Sequence, residues 1–165
     1  MKIEVPRSGR LEVVRIPVNP GREWDDAIRA AGPDTSARYA EMRQVAAHYQ
    51  PQEGEIVHKD IILVNFSETD VYGSEFVVKW GIRHKLRNAS PRELFAIGEH
   101  APDFNKHVGM PYMAIHSLEE CLFRGQRRIC AVWWWEHERR VHLSFFESGF
   151  QNHWNKHDWT AFVEI

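Results

Sequence analysis

The sequence predicts an α+β fold, with helical segments in its first two-thirds and an antiparallel, strand-rich region at its end. Three observations support this prediction. The middle of the chain contains helical periodicity and one strong helix-start signal. Alternation with a period of two dominates residues 112–165. That last region also holds five of the seven tryptophans, a residue type that strands favour.

The N-terminal part predicts a strand followed by a helix. Residues 11–18 are largely apolar and β-branched, and the turn Asn19-Pro20-Gly21 ends them. Four apolar residues then recur at the spacing i, i+3, i+4 and i+7: Trp24, Ala27, Ile28 and Ala31. Gly32 ends this helix. Residues 36–49 stay ambiguous, because their apolar periodicity is modest.

The centre predicts one buried strand and then two helices. Residues 56–66 include a continuous apolar run, which favours a strand covered on both faces. An amphipathic helix begins near Ser74. A second helix begins at a capping box, in which Ser90 is the N-cap, Pro91 occupies the first turn and Glu93 is the third helical residue.

Two turns set the predicted register of the C-terminal strands. Gly125-Gln126 suits a two-residue type II′ hairpin, which would place Cys121 opposite Cys130 and Leu122 opposite Ile129. A three-residue turn over 137–139 would place Trp135 opposite Val141 and Trp133 opposite Leu143. The cysteines are then predicted to be a pair of small, reduced apolar residues, with a cross-strand disulfide as the alternative.

This register divides the tryptophans between two sheet faces. The first face is the predicted core: Leu122, Ile129, Ala131, Trp133, Trp135, Val141, Leu143 and Phe145. The second face is mixed: Cys121, Phe123, Arg128, Cys130, Trp134, His142, Ser144 and Phe146. Trp133 and Trp135 are thereby assigned to the core, and Trp134 is left for function.

From residue 61 onward, the order of elements resembles the C-type-lectin-like fold, including its formylglycine-generating-enzyme-like branch. The resemblance rests on a first strand at 61–66, helices at 74–86 and 91–100, and a closing strand at 159–165. It implies a twisted antiparallel sheet with two helices over residues 56–165, and an N-terminal βα extension over 1–55 packed on it. It implies no calcium-dependent sugar binding, because the triplet motifs of such lectins are absent.

A second resemblance concerns uncharacterised bacterial and phage-associated proteins. It rests on the segments at 20–24, 62–66 and 89–99. It brings no activity, and it favours reading the chain as one unit.

Composition narrows the classes of function. The formal net charge is −2, which gives no overall electrostatic case for nucleic acid, and no apolar stretch is long enough to span a membrane. Two cysteines are too few for a secreted disulfide scaffold or a four-cysteine zinc site. We therefore expect a cytoplasmic protein with no cofactor, whose partner is a protein or a small ligand.

The mixed face carries the favoured binding site: Arg128, Trp134, His142, Ser144 and Trp154. Tryptophan and arginine are enriched in binding hot spots, so the sequence favours a non-enzymatic binding protein. The structural alternative is that residues 150–154 cover Trp134 as a secondary core.

Two further functions stay open. His153 and His157, four residues apart with Asp158 adjacent, could hold a metal in a small enzyme, although no complete zinc-protease motif surrounds them. A phage-associated inhibitor of a host protein is the other alternative.

Overall fold

The computed structural model describes residues 3–4, 9–36, 40–66, 73–146 and 156–165. Its strands are β1 (Arg10–Val18), β2 (Val57–Asn65), β3 (Leu86–Asn88), β4 (Tyr112–Phe123), β5 (Gln126–Trp135), β6 (Glu138–Phe145) and β7 (Asp158–Glu164). Its helices are α1 (Trp24–Ala31), α2 (Ala40–Gln44), α3 (Ser74–Arg83), α4 (Pro91–His100) and α5 (Phe104–His107), with a 3₁₀ turn at Ala46–His48. The α+β class is confirmed.

Six of the strands form one sheet in the order β1-β2-β7-β4-β5-β6, and β3 pairs with β7 beside this path. All neighbouring strands are antiparallel except β4 and β7, which are parallel. The region 1–55 contributes β1, which pairs with β2 along its whole length, and α1, which packs on α4. In the described part of the chain, no helix is long and apolar enough to cross a membrane.

The sheet is covered on both faces, and this explains why the sequence of strand β2 is continuously apolar. Ile61 and Leu63 enter the larger core, which α1 and α4 cover. Ile62 and Val64 enter a second apolar cluster beneath α3. Because successive side chains of a strand point to opposite faces, a strand buried on both sides needs an unbroken apolar run. The predicted doubly covered strand is therefore confirmed.

Helix α4 begins at the predicted capping box. The Ser90 hydroxyl accepts a hydrogen bond from the Glu93 amide at 3.3 Å, and the Ser90 amide donates to the Glu93 carboxylate at 2.7 Å. Lys59 lies 2.7 Å from the same carboxylate, and Arg87 donates two hydrogen bonds to it at 2.7 and 2.9 Å. Glu93 thus joins a helix start to β2 and β3, although its side chain is only 2% exposed.

The first predicted turn of the C-terminal sheet is wrong. The chain turns over Arg124-Gly125, with φ of 50° and 75°, as a type I′ hairpin requires, so that Phe123 pairs with Gln126. Cys121 consequently lies opposite Arg128, and a bulge before it leaves Cys130 opposite Ser117. The register moves by two positions beside the turn and by four beyond the bulge, and because both shifts are even, the side chains keep the predicted faces. Both cysteines are buried free thiols within the larger core.

The second predicted turn is also wrong, with a larger consequence. The chain turns over two residues, Glu136 and His137, and Glu136 adopts a φ of 56°. Trp135 therefore pairs with Glu138 and Trp133 with Arg140. The partners predicted on β6 lie three positions further along the chain. Because this shift is an odd number, each β6 side chain lies on the sheet face opposite to the predicted one.

Helix α4 approaches α1 closely through a glycine, and we expect Gly98→Ala to be destabilising. A methyl group at Gly98 would lie 2.8 Å from the Ala31 carbonyl oxygen and 3.1 Å from the Ala31 Cα. Because the clash is with backbone atoms, the overpacking should cost about 2–3 kcal/mol, toward the upper end for such changes, and so exceed the gain of about 1 kcal/mol in helix propensity. The net loss should be visible as a lower urea midpoint.

Gly21→Ala is the matched control, since the nearest atoms to a methyl group there lie at 3.4 and 3.6 Å. Its urea midpoint should stay near that of the parent protein. A Gly98→Ala protein as stable as the parent would contradict the close approach of α1 and α4.

Candidate functional site

An exposed aromatic cluster lies on the face of β4, β5 and β6 that is opposite the larger core. We call it the aromatic platform and define it as Tyr112, Trp133, Trp135 and His142. Trp133 is 41% exposed and Trp135 is 61% exposed. Trp134 is only 2% exposed, because it points to the other face of the same strand.

The rings of the platform contact one another across neighbouring strands. Tyr112 and Trp135 lie opposite each other on β4 and β5, with ring centroids 4.7 Å apart and planes at 68°. Trp133 and His142 have centroids 4.9 Å apart and planes at 34°. The Tyr112 hydroxyl donates to the Glu136 carboxylate at 2.9 Å, and this hydrogen bond raises the pKa of Tyr112. The contacts hold the rings in a fixed arrangement at the surface.

The tryptophans of the platform and of the core differ in whether their indole N–H groups have a hydrogen-bond acceptor. Three buried tryptophans use theirs: Trp24 donates to the Met42 carbonyl at 2.7 Å, Trp134 to the Pro102 carbonyl at 2.8 Å, and Trp159 to the Met110 sulfur at 3.4 Å. Within the described part of the chain, the indole N–H groups of Trp133 and Trp135 have no protein acceptor. They can donate to a ligand.

The charged residues beside the platform carry no excess of positive charge. Arg140 lies opposite Trp133 and Glu138 opposite Trp135 on the edge strand β6. Their side chains form an ion pair at 2.6 Å. The Glu136 carboxylate, which accepts the hydrogen bond of the Tyr112 hydroxyl, adds a second negative charge. No excess positive charge therefore draws a polyanion to the platform.

A groove of about 790 Å³ extends from the platform across the β6 edge. Trp133, Trp135 and His142 lie on one side, and Ser36 and Met42 lie on the other. This volume falls within the range of roughly 300–1,000 Å³ that is usual for ligand pockets.

The β6 backbone at the groove is already hydrogen-bonded on its outer side. The Arg139 amide donates to the Asp34 carboxylate at 2.8 Å, and the Val141 amide donates to the Thr35 hydroxyl at 3.0 Å. Side chains, rather than a free strand edge, therefore form the recognition surface of the groove.

His142 is a neutral, uncharged member of the platform near pH 7. Partial removal of its ring from water is the main reason that its pKa is lowered, and the positive charge of Arg128 lowers it further. Its Nδ1 lies 3.2 Å from the Ser144 hydroxyl. Across the sheet, His116 Nε2 lies 3.1 Å from the Asp158 carboxylate. The face thus combines aromatic rings with hydrogen-bonding groups.

The sequence-predicted binding residues are divided between the two faces. His142 and Ser144 lie on the platform face, as described above. Arg128 and Trp134 lie on the opposite, buried face, and Trp154 lies outside the described residues. Arg128 is held by the Leu143 carbonyl at 2.5 Å and by Glu41 at 3.2 Å. The structure therefore does not bring the four described residues together on one face.

The assignment of the three adjacent tryptophans to core and surface is wrong. The sequence predicts Trp133 and Trp135 in the core with Val141 and Leu143, but Val141 and Leu143 pack with Trp134 instead. The cause is the two-residue turn at Glu136, which shifts β6 by an odd number of positions.

Other residues of the predicted core are also redistributed. Leu122 and Phe145 are exposed, while Ile129 is buried in the second cluster. Of the predicted mixed face, the β4 and β5 residues Cys121, Phe123, Cys130 and Trp134 belong to the larger core, whereas Phe146 enters the second cluster. Burial raises the pKa of the Cys130 thiol, so this sulfur is a poor nucleophile.

Only two of the three predicted metal residues, His157 and Asp158, lie in the described part of the chain. His153 lies outside the described residues, His157 is exposed, and Asp158 pairs with His116. Among the residues that the structure describes, no three histidine, cysteine or carboxylate side chains are placed to hold a metal ion.

Comparison with other proteins identifies no relative. No family model, curated protein or solved structure gives a significant match to this chain.

Proposed function

We propose that this protein is a non-enzymatic binding protein and that its partner contacts the aromatic platform. One observation carries the proposal: two tryptophans of a single strand, Trp133 and Trp135, lie exposed on one sheet face. Their indole N–H groups have no protein acceptor within the described residues. Buried tryptophans stabilise a core, whereas adjacent exposed ones keep a large apolar area in water.

The residue types of the platform are those that dominate binding interfaces. Tryptophan, tyrosine and arginine are the types most enriched among hot-spot residues. Trp133, Trp135, Tyr112 and Arg140 lie together on three neighbouring strands. Their backbones are held in a sheet, which lowers the conformational entropy that binding would otherwise cost.

The C-type-lectin-like fold belongs to this proposal as well. It is supported by the antiparallel pairing of β2 with the closing strand β7 and by the position of α3 and α4 between them in the chain. That scaffold commonly serves binding. The cytoplasmic location is proposed on the same footing, and the two free thiols agree with it.

A binding screen tests the proposed function. Purified protein is applied to arrays of peptides, oligosaccharides and oligonucleotides, beside a Trp133→Ala/Trp135→Ala double variant. We expect the parent protein to bind members of one chemical class and the double variant to lose at least about tenfold in affinity for them, as two hot-spot residues imply.

The matched control for this screen is Ile82→Ala. Ile82 is another large, exposed apolar residue, and it lies on α3, away from the platform. This variant should bind as the parent does. Binding that survives unchanged in the double variant, or no binding to any class, would refute the platform as the binding surface.

A further inference from the structure

We infer that the aromatic platform binds a proline-rich segment of a partner protein in the polyproline II conformation. The inference rests on the proposed function and deepens it by naming the chemistry of the partner. Three independent features of the platform support it: indole N–H groups that lack a protein acceptor in the described part of the chain, the spacing of the rings, and the charge of the neighbouring side chains.

The unused donors match the hydrogen-bonding capacity of a polyproline II chain. Such a helix makes no internal hydrogen bonds, so its carbonyl oxygens remain free to accept, while proline has no N–H to donate. The platform presents the complementary set, with the indole N–H groups of Trp133 and Trp135 lacking protein acceptors in the described part of the chain. Proline rings can at the same time lie on the exposed indole surfaces.

The spacing of the two tryptophans also fits. Trp133 and Trp135 are two residues apart on one strand, which places them about 6.7 Å apart along it. Two residues of a polyproline II helix span about 6.2 Å. Because this helix has three residues per turn, residues two apart lie on neighbouring edges of it, and both edges can face a flat surface. One bound chain can therefore reach both indoles without leaving its preferred conformation. Tyr112, directly opposite Trp135, extends the aromatic surface onto β4.

The charge of the side chains beside the platform disfavours single-stranded nucleic acid, the main competing ligand. Single-stranded nucleic acid also stacks on exposed aromatics, but it needs a positively charged groove along its backbone. Arg140 is paired with Glu138, and the Glu136 carboxylate beside Tyr112 adds a negative charge, so the platform has no excess of positive charge. A neutral, acceptor-rich peptide suits this surface, and because it is already extended it loses little conformational entropy on binding.

The experiment is a titration of the full-length, ¹⁵N-labelled protein with a decaproline peptide, followed through the indole N–H resonances. We expect saturable shifts of the Trp133 and Trp135 resonances, while those of the buried Trp24 and Trp134 stay unchanged. A glycine–serine peptide of equal length should cause no such shifts, because it lacks the preformed polyproline II conformation.

Two variants separate the ring from its N–H group. Trp135→Phe keeps an aromatic ring but removes the donor, and it should weaken decaproline binding about tenfold, as the loss of one hydrogen bond implies. Trp135→Ala removes both and should weaken binding further. Ile82→Ala should leave the affinity unchanged.

Three results would overturn the inference: no saturable shift at millimolar decaproline, equal shifts with the glycine–serine peptide, or unchanged affinity in Trp135→Ala. If decaproline fails while a sugar, an oligonucleotide or another peptide binds in a platform-dependent way, only the polyproline assignment falls. If nothing binds through the platform, the proposed function falls with it.

Discussion

Trp134→Ala should lower the free energy of unfolding by about 3–5 kcal/mol, the range for removing a large aromatic side chain from a core. Trp134 is buried among the side chains of the larger core and also donates its indole N–H to the Pro102 carbonyl. Trp135→Ala should change the stability by less than about 0.5 kcal/mol, since its side chain is mostly in solvent. Trp133→Ala should fall between them, below about 1 kcal/mol.

Chemical denaturation of the three variants measures this order directly. If Trp134→Ala fails to fold, Trp134→Phe replaces it in the comparison; it keeps a ring but loses the hydrogen bond, and should cost about 1–2 kcal/mol. The prediction is contradicted if Trp133→Ala or Trp135→Ala proves the most destabilising of the series. That result would restore the faces that the sequence alone predicts.

Glu93→Gln should destabilise the protein by about 3 kcal/mol near neutral pH, the lower end of the cost of breaking a buried ion pair. The lower end applies because the Lys59 and Arg87 side chains are 34% and 42% exposed, so that water can solvate them once the carboxylate is gone. Glu120→Gln is the control. It removes a surface partner of Arg127 and should cost less than about 1 kcal/mol.

The effect of Glu93 should also depend on pH. Burial alone would raise the pKa of its carboxyl, but hydrogen bonds from Arg87, Lys59 and the Ser90 amide outweigh burial and lower the pKa from 4.5 to about 2. A carboxyl whose pKa is lower in the folded protein stabilises the fold at pH values above its pKa in the unfolded chain. This stabilisation is lost as the pH falls through its pKa in the folded protein. The parent protein and Glu93→Gln should therefore converge in stability between about pH 4.5 and pH 2. A constant difference across this range would contradict the assigned role of the carboxylate.

The elements that sequence reasoning predicts correctly are those fixed by local chemistry. The capping box at Ser90, Pro91 and Glu93 uses residues three apart, and the doubly covered strand β2 is marked by its own unbroken apolar run. Neither depends on how distant segments pair. The same holds for α1, whose four buried residues recur at helical spacing.

The face assignment fails because it depends on turn length. Three consecutive tryptophans offer no internal sign of which face is core, since period-two alternation is satisfied by either choice. The turn decides it, and the turn has an unexpected residue, Glu136, at positive φ. Such a conformation is uncommon outside glycine and asparagine. One residue of turn length therefore moves the candidate site from Trp134 to Trp133 and Trp135.

The most direct test of the platform is the solvent exposure of the individual indole N–H groups. A soluble paramagnetic agent broadens resonances at the surface, and Trp→Phe variants assign each indole signal. We expect strong broadening for Trp133 and Trp135 and protection for Trp134, which is hydrogen-bonded to Pro102 inside the core. Strong broadening of Trp134, with Trp133 and Trp135 protected, would contradict the register and the platform with it.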